Sequence, residues 1–255
     1  MEPILYLGDG RVDGAAAYLA GIMAHFGLDY VHIPSSEALP DDVMDGNWST
    51  AVFSDYPSSN MNSRQMMELA GLVEGGRGLL MFGGWGSYHG LDGHYSGTPL
   101  ENLLPVYIDG EDDRVNWPGP CLVTRSDEHV LVDGLPFDSD APGIGGFNRV
   151  RASKEGRVLL EARRYQALIE PGRSRHGFQL AGDPDPLLVV GQYGTGRVGC
   201  WTTDVAPHWV GGFVDWGSNR VVSRGSAPAI EVEVGDLYAE FFRRLLLWSA
   251  GVPGF

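Results

Sequence analysis

Over the first hundred residues, short apolar runs ending in glycine or aspartate alternate with stretches of helical periodicity, and no other feature narrows the fold as far. Residues 4–7 form one such run and close on Gly8-Asp9-Gly10. A helical pattern begins near Asp13, sets Leu19, Ile22, Met23 and Phe26 on one face, and stops at Gly27. Residues 30–33 and 51–54 read as strands, the second closing on Asp55-Tyr56-Pro57. Asn62 and Gln65 have capping-box spacing, Met66, Leu69, Ala70 and Val73 supply the next buried stripe, and Gly75-Gly76 ends it. Residues 78–82 are apolar enough for a strand covered on both faces. This alternation predicts right-handed crossovers around a parallel sheet.

After residue 106 the rhythm changes to runs punctuated by glycine and proline, at 121–124, 158–161, 187–190 and 197–203, some of them expected to be antiparallel. Gln192-Tyr193-Gly194-Thr195-Gly196-Arg197 reads as a hairpin connection. A last helix is expected from a cap at Asp236, with Tyr238, Phe241, Phe242 and Leu245 inward and Gly251 beyond its end. Segments 109–120 and 205–229 are long for structureless loops, and such length favours a binding loop, a lid or a subunit contact.

The 33 acidic residues against 18 basic ones give a formal charge of −15, which repels phosphate backbones and anionic lipid. Neither nucleic acid nor a membrane is an expected partner. The amino terminus has no basic leader and no apolar run is long enough to span a bilayer, so a cytoplasmic protein is expected. Its 255 residues are expected to form one domain. Cys121 and Cys200 match neither a disulfide framework nor a zinc knuckle, and Cys200 stands in the apolar run Val198-Gly199-Cys200-Trp201 of a buried strand.

Ligands of an open parallel sheet bind outside the carboxyl ends of its strands. The residues to inspect there are Asp9, Asp55, the run from Gly83 through Gly84, Trp85, Gly86, Ser87, Tyr88 and His89 to Gly90, and Asp204 with His208. The glycine run has the place of a nucleophile elbow, but Gly-x-Ser-x-Gly around Ser87 fails because Trp85 and His89 stand where glycines are needed. It is neither a Walker loop nor a dinucleotide fingerprint.

Leu80-Met81-Phe82-Gly83-Gly84-Trp85-Gly86-Ser87-Tyr88, followed by Gly97-Thr98-Pro99-Leu100-Glu101 and Leu103-Leu104-Pro105-Val106, resembles the class I glutamine amidotransferase-like proteins. Gly196-Arg197-Val198 and Thr203-Asp204-Val205-Ala206-Pro207-His208-Trp209 are similar to the same branch. The resemblance implies an α/β fold with a flavodoxin-like parallel sheet flanked by helices. In glutaminases of that class an elbow cysteine attacks glutamine, assisted by a His-x-Glu pair. Here the elbow offers Trp85, Gly86 and Ser87, and Val210 stands two residues after His208. Neither the nucleophile nor the pair transfers to this chain.

His208 is the candidate base, with Asp204 four residues earlier to orient it and Pro207 and Trp209 to fix and shield it. Ser87 is a candidate nucleophile or a turn hydroxyl capping a following helix. His89 and His94, with Asp92 between them, have donor types that suit a metal, but no third ligand is evident and no metal is expected. Trp201, Trp209 and Trp216 read either as an aromatic platform for a small polar molecule or as a homo-oligomer contact. The expectation is a non-glutaminase that binds a small polar molecule through Asp9, Asp55, Gly84, Trp85, Gly86, His89 and Trp209, with its cofactor requirement open. The alternatives are a hydrolase using His208 with Ser87 or a bound water, and a structural subunit.

Overall fold

The first strand, β1 (Ile4–Gly8), buries all five of its residues, and alternate side chains feed two different cores. Ile4 and Tyr6 face one side and Leu5 and Leu7 the other, because successive strand residues point to opposite faces. The protein is described by a computed structural model that covers residues 1–169, 176–224 and 230–255. The remaining strands of the main sheet are β2 (Tyr30–Ile33), β3 (Thr50–Ser54), β4 (Gly78–Phe82), β5 (Cys121–Arg125), β6 (Arg157–Ile169), β7 (His176–Leu180), β8 (Asp185–Tyr193) and β9 (Gly196–Trp201). Their order is β7-β6-β8-β9-β4-β3-β1-β2, with β5 also against β6.

The segment β2-β1-β3-β4-β9 is parallel throughout, in the flavodoxin-like order. From β9 outward every pairing is antiparallel. Helix α1 (Ala17–His25) and the long helix α4 (Asp236–Ser249) contribute to the core that holds Ile4, Tyr6, Val52 and Phe82. Helix α2 (Ser63–Glu74) covers the opposite face through Met66, Leu69 and Val73, and the expected capping box is present, Asn62 and Gln65 each accepting the other's backbone N–H at 3.0 Å. Helices on both faces explain why the parallel strands are buried on both sides.

Several expectations are corrected. Helix α1 starts at Ala17, not near Asp13, because the chain first wraps over the end of β1 with Ala16 N donating to Asp9 O at 3.0 Å. Gly235, not Asp236, is the cap of α4, and the Asp236 carboxylate accepts instead from Asn219 N and Nδ2. No α-helix follows β4; the chain turns repeatedly until a short 3-10 segment at Glu101–Leu103, so Ser87 caps nothing. The segment 109–120 carries a strand, Arg114–Asn116, paired with Gly146–Asn148. The segment 205–224 folds into a helical turn α3 (Pro207–Val210), a 3-10 turn and the strand Arg220–Arg224, while residues 225–229 lie outside the described residues. Among the described residues no helix is long and apolar enough to cross a membrane.

Candidate functional site

Three strands of the parallel segment end in carboxylates. Asp9 follows β1, Asp55 follows β3, and Asp204 stands three residues beyond β9. Asp9 and Asp55 both adopt left-handed backbone, φ +53° and +52°. Side chains with a Cβ enter that region at a cost, and aspartate is among the residues that tolerate it best. The chain thus turns sharply at the same height on two strands. A cleft of about 640 Å³ opens there, bounded by Asp9, Arg11, Ser35, Asp55, Gly86 and Asp92. A second cleft of about 630 Å³ lies near the β8–β9 turn, at the amino end of β9, and holds no strand-end carboxylate.

The electrostatics of the cluster are unfavourable for charge. Asp9 is 5% exposed, and burial together with the Asp55 charge lifts its carboxyl to about 7, against which the Tyr6 hydroxyl donates at 2.6 Å to Oδ2. Burial also raises Asp55, offset in part by the N–H groups of Gly86 and Trp85. Asp204 is fully buried, and burial, then Asp9, then Asp55 push its carboxyl well above the usual carboxylate range. Its Oδ1 accepts from Val205 N (2.6 Å) and Ala206 N (2.9 Å). Its Oδ2 is buried without a hydrogen bond, since His208 Nδ1 at 3.3 Å is close enough for an ion pair but not aligned for a hydrogen bond. Like charges sharing a dry site cannot all ionise freely, so the cluster holds protons at neutral pH.

The elbow after β4 is built around Asp55. Gly86 N donates to Asp55 Oδ1 at 2.6 Å, and Asp55 N donates to Ser87 Oγ at 3.0 Å. A Cβ on Gly84 would stand 2.1 Å from Asp55 Oδ1, so only glycine lets the carboxylate lie across this turn. Ser87 is 1% exposed and acts as a strut between the ends of β3 and β4, a buried position that does not suit the candidate nucleophile. Trp85 is 46% exposed, with the Arg114 guanidinium 4.7 Å above its ring.

His208 is also placed differently from expectation. Its side chain is 55% exposed, so Pro207 and Trp209 do not shield it. Trp209 is 2% exposed and donates from Nε1 to Asn116 Oδ1 at 2.8 Å, and Trp201 and Trp216 are buried as well. None of the three is a ligand platform or an exposed contact. Their size makes them core residues, since apolar area of that order is buried wherever the fold allows. His89 and His94 do meet, ring edge to face with centroids 5.3 Å apart, but among the described residues no three His, Cys, Asp or Glu side chains stand where they could share a metal ion.

Four residues of the site were not singled out from sequence. Tyr6 holds Asp9, and Ser35 Oγ accepts from Gly10 N at 3.2 Å while donating to Asp55 O at 2.6 Å. Asn148 accepts from Gly84 N (2.8 Å) and donates from Nδ2 to Gly84 O (3.1 Å) and Asp113 Oδ1 (2.7 Å). Asp113 in turn accepts from His89 N (2.9 Å) and Gly90 N (3.0 Å). The signals available were Gly145-Gly146 just before Asn148 and the length of segment 109–120 around Asp113.

A flavodoxin-ordered sheet with a glycine elbow after β4 and acidic strand ends defines a class I amidotransferase-like protein. The family model GATase1-like, described as "Putative glutamine amidotransferase", matches residues 49–223, and the chain belongs to that family. Among solved structures it is similar to the cytoplasmic protein STM3548 of Salmonella typhimurium, at 23% identity and a TM-score of 0.72 over 98% of this chain and 99% of that one. The cytoplasmic protein STM1381 of S. typhimurium LT2 matches at 24% identity and a TM-score of 0.73, over 97% and 99% of the two chains. A ThuA-like protein of Parabacteroides merdae matches at 13% identity and a TM-score of 0.58, over 98% and 90%. At these identities the likeness is one of fold. No curated protein matches the sequence.

Proposed function

We propose that this chain is a cytoplasmic member of the family without glutaminase activity, which binds a small polar molecule at the carboxyl ends of β1, β3 and β9. The observation that carries the reading is the position of Asp55, whose Oδ1 accepts from Gly86 N at 2.6 Å. Elbow N–H groups are the usual stabilisers of an oxyanion. A carboxylate held against one of them repels such an anion instead. Both thiols are buried in strands, Cys200 against the buried Tyr88 side chain, and burial pushes each up to about 12, so neither is a ready nucleophile.

The bound molecule is uncharged and hydroxylated, or cationic. Asp9 with its carboxyl near 7 can donate or accept a hydrogen bond at neutral pH, which suits a hydroxyl or an ammonium group and disfavours an anion. The test is a calorimetric titration with polyols, sugars, amines and amino acids against the wild type and Asp55→Asn. Binding that is lost in the variant supports the reading. Glutamine-dependent ammonia release that disappears in Cys121→Ser or Cys200→Ser refutes it.

A second reading rests on the His208 Nδ1 to Asp204 Oδ2 distance of 3.3 Å beside an exposed ring. That pair could activate a water for hydrolysis. It requires His208→Ala to abolish turnover of an ester, amide or glycoside without changing the melting temperature, and silence of the wild type across such a panel would end it.

A further inference from the structure

Of the seven tryptophans five are buried, Trp117 is half-buried under the Arg164 guanidinium, and Trp85 alone is exposed. It stands in the elbow after β4, at the rim of the strand-end cleft. Its neighbour Gly86 lines that cleft and donates to Asp55 Oδ1, and Trp85 O accepts from Leu91 N (2.9 Å) and from the N of Asp92 (3.0 Å), another residue of the cleft. Leu91, 49% exposed, adds apolar surface to the same turn. A tryptophan left in water beside carboxylates offers an apolar plane and hydrogen-bonding groups together, the combination that small-molecule clefts use, and about 640 Å³ lies within their usual size. The plane is set before any ligand arrives. Arg114 lies over one face of the ring, 4.7 Å from its centroid, and is itself clamped on the Asp112 carboxylate through Nε (2.8 Å) and Nη2 (2.7 Å).

The clamp also selects. An aromatic ring draws a cation to its face through its quadrupole, and here the guanidinium already holds one face. An ammonium on the other face would share the ring with Arg114 and be repelled by it, whereas the C–H groups of an uncharged ring meet no such cost. The carboxylates point the same way. Asp204 Oδ2, on a side chain 1% exposed, has no hydrogen bond, and the charges of Asp9 and Asp55 both reach it. A cluster that shares protons and leaves an acceptor unfilled is matched by hydroxyl groups, which donate and accept at once. We propose that the bound molecule is a sugar in its pyranose form, with its C–H face laid on the open face of Trp85 and its hydroxyls turned to Asp55, Asp9 and Asp92. The proposal rests on the strand-end reading above and narrows it from polar molecules in general to one with an apolar ring face and a hydroxylated edge.

The test is a calorimetric titration of the full chain with glucose, galactose, mannose and xylose, set beside sorbitol, which has the hydroxyls without the ring, and ethanolamine, which has the cation. At least one of the four sugars is expected to bind more tightly than sorbitol or ethanolamine. Its Kd should rise about tenfold or more in Trp85→Ala, since the stacked face is lost, and stay within a few-fold of wild type in Trp85→Phe, which keeps an aromatic plane. The melting temperature of Trp85→Ala should be unchanged, because the side chain is exposed. Asp55→Asn should lose the sugar as well. A sugar that Trp85→Ala binds as tightly as wild type overturns the proposal, as does tighter binding of sorbitol or ethanolamine than of any of the four sugars. If sorbitol or ethanolamine binding is lost in Asp55→Asn and indifferent to Trp85→Ala, the strand-end reading stands and the sugar proposal falls. Silence of the wild type toward all six compounds overturns the proposal, and sugar binding that Asp55→Asn leaves intact overturns the strand-end reading along with it.

Discussion

Replacing Asp9 by Asn should make the protein more stable at alkaline pH, and the size of the gain follows from the site. The side chain keeps its shape and an oxygen to accept the Tyr6 hydroxyl, but it no longer brings a charge next to Asp55 and Asp204. In the folded chain the Asp9 proton is held to about pH 7, whereas the ordinary value, which the unfolded chain approaches, is 3.8. Between those values the folded state binds more protons than the unfolded one. The Asp9 contribution is therefore fully present below about pH 4, declines as pH rises, and is exhausted above pH 7. A displacement of about 3 pH units at 1.36 kcal/mol per unit amounts to about 4 kcal/mol. Part of that belongs jointly to the three carboxylates, so about 2–4 kcal/mol is the expected gain of Asp9→Asn at pH 8. For a chain of this length that is a rise of roughly 4–16 °C in melting temperature. Urea unfolding of wild type and variant from pH 4 to pH 9 measures it. The two stabilities should converge at pH 4 and separate as pH rises. Parallel curves, or a variant less stable at pH 8, would refute the account of a strained acidic cluster kept for its ligand at the expense of stability.

Asn148→Ala removes the side chain that accepts from Gly84 N and donates to Asp113 Oδ1, and leaves both partners buried. About 2–4 kcal/mol of stability should be lost, measured by denaturant unfolding, together with ligand affinity at the neighbouring elbow. Cys121 and Cys200 are buried with their thiols pushed up to about 12, so a thiol reagent at pH 8 should label neither in the native protein and both after unfolding. Prompt labelling of either in the native state would contradict the burial.

What was legible in the sequence is whatever rests on local chemistry. The capping box at Asn62 and Gln65, the helix stop at Gly27, the turn at Gly194 and the first strand over residues 4–7 each depend on a few neighbouring residues, and the structure has them. The strand-end rule also put Asp9, Asp55 and Asp204 forward, because topology alone says which ends of parallel strands meet.

Tertiary structure decided everything that depends on partners distant in the chain. Ser87 is a strut because Asp55, 32 positions away, donates to it, and Trp209 is a core residue because Asn116 and the strand around Gly146 enclose it. Asn148 reaches the elbow across 64 positions, and no local pattern marks such a bond. The same holds for protonation: the sequence of Asp9 is that of any aspartate after a strand, and only burial beside Asp55 lifts its carboxyl to about 7. Desolvation and like-charge repulsion act through space, and space is what folding supplies.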